Sequence, residues 1–213
     1  MRRYAADVAV LARKDLTLEL RARDTLPAML LFVISTLVVF HFALPKHSSD
    51  LAAKGLLWVA LVFTALVGLT RAFVAEREQR LIDGLLLAPC DRSAIWLAKA
   101  LSVLAFLGIA ELVALPAFAI FFSGLGWSTV VAVLLANVGI VAVGTLLAAV
   151  AAVSRTRELI LPLLFLPLAI PVVIGGVGAS VVESPGRYLA FLCLYDAVFA
   201  IISWASFEYV VTE

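Results

Sequence analysis

Long, nearly uncharged apolar runs are the feature of this sequence that most restricts its fold. Six such runs, each close to the roughly 20 residues that a helix needs to cross a bilayer core, lie within 213 residues. The chain is 64% hydrophobic and 15% charged, whereas soluble domains average about 45–50% and about 25%. A water-soluble core cannot contain this much apolar surface, so we predict an all-α membrane protein with six transmembrane helices.

The predicted spans are separated by short charged or turn-forming segments. They cover about 27–44, 51 (or 55)–75, 95–122, 127–153, 159–182 and 188–211. Span five contains Pro162, Pro167 and Pro171, and each proline removes a helical hydrogen bond. We therefore predict a kink at these prolines, with an outer half that is bent or re-entrant. Small residues in span four, Gly139 and Gly144 among them, permit close approach of a neighbouring helix.

The first 26 residues are too charged to cross a membrane. At helical spacing, one side holds Tyr4, Val8, Leu11 and Leu18, and another holds Arg3, Lys14 and Arg21. This arrangement is typical of a helix that lies in the membrane interface, although Asp15 interrupts the apolar side. The alternative is a solvated charged tail. With this segment, residues 1–213 form one predicted membrane domain.

The distribution of basic residues orients the predicted bundle. Thirteen of the sixteen Lys and Arg residues lie in the N-terminal segment, after span two, or after span four. The other three are Lys46, Lys54 and Arg187. Because cytoplasmic loops are enriched in Lys and Arg, this distribution predicts a multi-pass protein with both termini in the cytoplasm.

Several function classes lack support in the sequence. There is no G-x-x-x-x-G-K-[ST] phosphate-binding motif, no HExxH and no Cys/His metal spacing, and Cys90 and Cys193 are far apart. The net charge of +1 does not indicate a positively charged surface for binding nucleic acid. We predict neither an enzyme, nor a metal site, nor a cofactor bound by this chain alone.

The segment between spans two and three, 76–93, is too charged to span and too apolar for an ordinary loop. Leu81, Leu85 and Ala88 share one helical face, and Pro89 ends the element. The polar surroundings and flanks hold Glu76, Arg77, Glu78, Arg80, Asp83 and Arg92. We predict a short cytoplasmic helix that couples a soluble partner to the membrane. The alternative is an interfacial helix that only caps the bundle.

The same segment carries a resemblance to known permeases. Leu-Leu-Leu-Ala-Pro at 85–89, with Lys99 ten residues after the proline, resembles the corresponding segment of ABC-2 type permeases. Arg80 stands near a position where such permeases often have glycine. The run Leu-Pro-Leu-Leu-Phe-Leu-Pro-Leu-Ala-Ile-Pro-Val-Val-Ile at 161–174 resembles the fifth helix of the CcmB family, permease subunits of haem export in cytochrome c maturation.

The resemblance implies a set of partners. A CcmB permease would form a homodimer in the bacterial inner membrane, bind a CcmA-like ATPase subunit that holds the ATP, and work with CcmC-like and CcmD-like subunits and a CcmE-like haem chaperone. It would couple ATP hydrolysis to haem export or to release of the haem-loaded chaperone. Release is favoured because the spans contain no obvious pair of haem ligands; His41 and His47 form no recognised ligand spacing.

Two acidic residues within the spans leave other functions open. Glu111 lies near the middle of span three and Asp196 lies in span six, so both should face protein or water rather than lipid. They could relay protons in a secondary transporter, although the sequence has no internal repeat. Alternatively, they could have a structural role. A third alternative is a scaffold for membrane enzymes without transport.

Overall fold

The computed structural model describes residues 2–22, 24–45, 50–73, 91–122, 124–153 and 157–210. These residues form seven α-helices and, within the described ranges, no strand. The helices are α1 (Arg2–Ala22), α2 (Thr25–Ala43), α3 (Asp50–Arg71), α4 (Arg92–Phe122), α5 (Trp127–Val153), α6 (Arg157–Val181) and α7 (Gly186–Val210).

Helices α2 to α7 are each long and apolar enough to cross a membrane. They coincide with the six predicted spans, so the predicted fold class is confirmed. The largest difference is in α3, which ends at Arg71 rather than at 75. The charge of Arg71 and the Glu/Arg residues that follow it explain why the apolar helix ends there, since charged groups are costly within hydrocarbon.

Helix α5 lies at the centre of the bundle. It packs against α3, α4, α6 and α7, and most of its surface is buried. A methyl group added to Gly139 would overlap Tyr195 and Asp196, and one added to Gly144 would overlap Leu69. The close helix approach predicted from these small residues is therefore confirmed. Helices α2 and α7 are the least covered of the six spans.

Helix α6 is continuous through its three prolines. Pro162, Pro167 and Pro171 all lie inside Arg157–Val181. A re-entrant outer half is wrong, because a re-entrant segment must reverse its direction within the span. The kink at these prolines stays a prediction. The helix packs against α3, α5 and α7.

Helix α1 packs lengthwise on the first part of α4 and only slightly on α2. Val8 and Ala12 are buried against Ala94 and Ala98. The helix predicted for the N-terminal segment is thus confirmed, and the solvated tail is wrong. Tyr4, Val8 and Leu11 of the predicted apolar side lie in this contact. Leu18 departs from the prediction, since it is 37% exposed, and Asp15 is buried at 8% exposed.

Candidate functional site

A buried ion pair joins α1 to α4. Lys99 Nζ lies 3.2 Å from Asp15 Oδ2, and the exposed fractions of the two side chains are 6% and 8%. Lys14 Nζ lies 3.1 Å from the other Asp15 oxygen, Oδ1, at the surface side of the pair. Buried charges are stable only when they are paired. Asp15 and Lys99 therefore hold α1 in one register on α4.

A small cavity lies beside this ion pair, where α1, the start of α2, the end of α3 and the first part of α4 meet. We call this region the α1 end of the bundle. The cavity has a volume of about 30 Å³, room for about one or two water molecules. Its charged and hydroxyl lining comprises Asp15, Glu19, Thr25, Arg71, Lys99 and Ser102. The hydroxyl of Thr25 donates to Glu19 Oε1, which ties the end of α1 to α2.

The predicted coupling segment adjoins the α1 end. Seven of its predicted contact residues, Glu76, Arg77, Glu78, Arg80, Asp83, Leu85 and Pro89, lie outside the described residues. The eighth, Arg92, is the first residue of α4, with Nη1 4.0 Å from Glu208 Oε1 of α7. On the other flank, the Phe73 ring centroid lies 5.2 Å from Lys99 Nζ. Both flanks of the segment thus meet charged groups at this end of the bundle.

Glu111 faces the protein interior, as its charge requires. It is 4% exposed, and the side-chain amide of Asn137 in α5 donates to Glu111 Oε2 at 2.5 Å. This hydrogen bond joins α4 to α5 inside the membrane, where lipid tails provide no other hydrogen-bond donor for the glutamate. The expectation that Glu111 avoids lipid is confirmed.

Replacing Asn137 with leucine should lower the free energy of unfolding by about 1 kcal/mol, because the glutamate oxygen loses its donor. Titration of SDS into mixed micelles would measure this change. The control is Glu111→Gln, whose side-chain oxygen can still accept from Asn137 and which should be nearly neutral. Equal losses in both variants would contradict a specific role for the bond.

Asp196 lies in the tight contact between α7 and α5. It is 7% exposed, and its Oδ1 is directed at the space that Gly139 leaves open. In the described part of the chain this oxygen has no hydrogen-bond partner. The adjacent Tyr195 hydroxyl donates to the carbonyl of Leu168 at 2.7 Å, which links α7 to α6. No hydrogen bond within the described residues joins Asp196 to Glu111.

At the opposite end of the bundle, Lys54 joins α3 to the last turn of α6. Its Nζ donates to the carbonyl of Ser180 at 2.8 Å and lies 2.5 Å from Asp50 Oδ2. The Trp58 indole donates to the Ser180 hydroxyl at 3.1 Å. Terminal helix carbonyls lack intrahelical donors, so this lysine completes the end of α6.

Among the described residues, His41 is the one histidine. It lies near the end of α2, with its ring centroid 5.2 Å from that of Phe121. No three His, Cys, Asp or Glu side chains in the described ranges come together as a set of metal ligands. The neighbours of His41 at this point are the aromatic rings of Phe42, Phe121 and Phe122.

Three of these polar residues were missed as site residues in the sequence. Asp15 was interpreted as an interruption of an apolar face, and Lys54 and Lys99 were counted as loop charges. In the structure all three are buried and paired. For the two lysines the available signal was position: each lies a few residues inside a predicted membrane span, where a charge is costly unless it has a partner.

Comparison with known proteins covers nearly the whole chain. The profile of the CcmB protein family matches residues 6–207. Heme exporter protein B of Bradyrhizobium diazoefficiens is 28% identical over 205 residues, covering 92% of this chain and 92% of the relative. Heme exporter protein B of Pseudomonas aeruginosa is 31% identical, covering 80% and 79%. The corresponding protein of Paracoccus denitrificans is 30% identical, covering 78% of each chain. This chain belongs to the CcmB protein family.

Proposed function

We propose that this chain is the membrane subunit of a haem exporter of cytochrome c maturation, and that ATP hydrolysis by a separate CcmA-like subunit drives it. The observation that carries the proposal is the match to the CcmB family over residues 6–207, together with relatives named heme exporter protein B. The chain supplies six helices of membrane-spanning length. The phosphate-binding motif of ATPases is absent from its sequence.

In this proposal, the segment that contains Glu76 to Arg92 binds the ATPase subunit in the cytoplasm. The protein is a homodimer in the bacterial inner membrane, with both termini cytoplasmic, and CcmC-like and CcmD-like subunits complete the complex. Haem is the cargo, carried by a CcmE-like chaperone. The adjoining α1 end supports this arrangement, because its buried Lys99 contacts Phe73, close to the start of the segment.

We favour release of the haem-loaded chaperone over passage of haem through the bundle. The sequence supports this preference, because the spans contain no obvious pair of haem ligands and His41 and His47 form no recognised ligand spacing. Proton relay by Glu111 and Asp196 is the competing hypothesis. Their separate partners, Asn137 for the first and the Gly139 contact for the second, do not favour a relay. A scaffold without transport is the third hypothesis, and variants of Glu76 and Asp83 distinguish it from an ATP-driven subunit.

The decisive experiment uses the full complex in membrane vesicles. The double variant Glu76→Gln with Asp83→Asn should weaken the contact with the ATPase subunit. We expect it to reduce the amount of holocytochrome c formed per ATP hydrolysed by roughly tenfold, a factor that corresponds to a typical coupling free energy. The matched control is Glu183→Gln, an exposed carboxylate at the opposite end of the bundle that should leave the ratio unchanged.

Two further measurements accompany this ratio. The purified chain alone should hydrolyse no ATP, and cross-linkers placed between 76 and 92 should capture the ATPase subunit. An unchanged ratio in the double variant would favour the scaffold. Loss of activity in Glu111→Gln and Asp196→Asn, with sensitivity to the proton gradient, would favour the secondary transporter.

A further inference from the structure

Lys99 contacts more than one element of the α1 end. Its ammonium lies 3.2 Å from Asp15 of α1 and 5.2 Å from the ring centroid of Phe73, which is the last described residue before the segment 74–90. Its own backbone belongs to α4. One buried cation therefore contacts the N-terminal helix and the residue Phe73, three residues before the predicted coupling segment, from a membrane-spanning helix.

The surroundings of Lys99 make these contacts hard to separate. Only 6% of its side chain is exposed, so the ammonium has little access to water. If α1 moved away from α4, Lys99 would lose Asp15 as the partner of its buried charge. The Phe73 ring adds a cation–π contact, which is stronger where the cation is desolvated.

Neighbouring contacts also hold α1 on α4. The Ser102 hydroxyl, one turn after Lys99, lies 3.4 Å from the carbonyl of Ala12. Val8 and Ala12 are buried against Ala94 and Ala98. Because α1 packs mainly on α4, the position of α1 is set by α4 and by the ion pair.

We propose that Lys99 is a positioning residue, which holds α1 and Phe73, just after the end of α3, on α4 so that a movement of the predicted coupling segment reaches the transmembrane bundle. This inference rests on the proposed function, since it needs an ATPase subunit that moves the segment. It adds a residue within a membrane helix, outside the surface that would contact the ATPase subunit.

The test separates positioning from stability by comparing two variants in the full complex. Lys99→Met leaves Asp15 buried without this cation, and should reduce both stability and the holocytochrome c formed per ATP, the latter roughly tenfold. The double variant Asp15→Asn with Lys99→Met removes both charges. It should regain stability, because the buried carboxylate that lost Lys99 is replaced by a neutral amide, yet keep the reduced ratio.

Two other variants complete the design. Lys99→Arg keeps the charge and should retain most of the coupling ratio. Lys54→Met is the matched control, since it removes the other paired buried lysine, at the opposite end of the bundle. It should reduce stability without changing the ratio.

The outcomes distinguish this inference from the proposed function. If the double variant regains both stability and the wild-type ratio, Lys99 is only structural and the inference is overturned while the proposed function stands. If the wild-type complex forms holocytochrome c without hydrolysing ATP, the proposed function fails and the inference fails with it. A stable double variant with a reduced ratio supports both.

Discussion

Replacing Trp58 with alanine is expected to lower the free energy of unfolding by about 3 kcal/mol, the low end of the range for buried aromatic residues. Trp58 is 1% exposed and lies in the core between α3 and α6. Its removal leaves a cavity and deprives Ser180 of the indole donor. The low end applies because the unfolded state in micelles also keeps its side chains in apolar surroundings, so the loss is mainly one of packing.

The matched control is Trp127→Ala. Trp127 begins α5 and is 79% exposed, so its removal leaves no internal cavity. Titration with SDS in mixed micelles should show a change within about 0.5 kcal/mol for this variant. Equal losses for the two tryptophans would show that Trp58 does not pack as described.

Replacing Gly176 with alanine should cost about 2 kcal/mol, within the range for overpacked cores. A methyl group at this position would overlap three atoms of the Trp58 ring. The ring is rigid and buried, and its indole N–H donates a hydrogen bond to Ser180. It therefore cannot move aside without displacing its neighbours. The same SDS titration would measure the loss, together with a change in tryptophan fluorescence.

The control for this substitution is Gly108→Ala in α4. Apart from its chain neighbours and its own helix backbone, no atom lies within 4 Å of the position that its methyl group would occupy. Because alanine stabilises a helix interior by roughly 0.5–1 kcal/mol relative to glycine, this variant should be neutral or slightly more stable. A loss at Gly108 as large as that at Gly176 would rule out the close contact of α3 with α6 as the cause.

The spans were predictable from the sequence because bilayer thickness fixes their length. The boundary of α4 at Phe122 and that of α5 at Trp127 follow from the glycines between them. The buried faces were less predictable. A membrane helix is apolar on its lipid side as well as its protein side, so hydrophobic periodicity does not distinguish Leu112, 75% exposed, from Leu107, 1% exposed.

The polar contacts were predictable only in part. Glu111 was expected to face protein because its charge is costly in lipid, but its partner Asn137 lies on another helix and has no sequence signal. Asp15 and Lys99 could not be paired for the same reason. A charge count along the chain treats every lysine near a span end alike, whereas burial depends on which helices meet there.

The pairing of Lys54 has a consequence for biosynthesis. The carbonyl that accepts from its ammonium belongs to Ser180, 126 residues later in the chain. At typical rates of translation, roughly 6 to 25 s pass before the ribosome has made that residue. During this interval Asp50, one turn earlier in α3, is the partner already synthesised. Asp50 is therefore the partner of Lys54 while α3 enters the bilayer, before α6 has been synthesised.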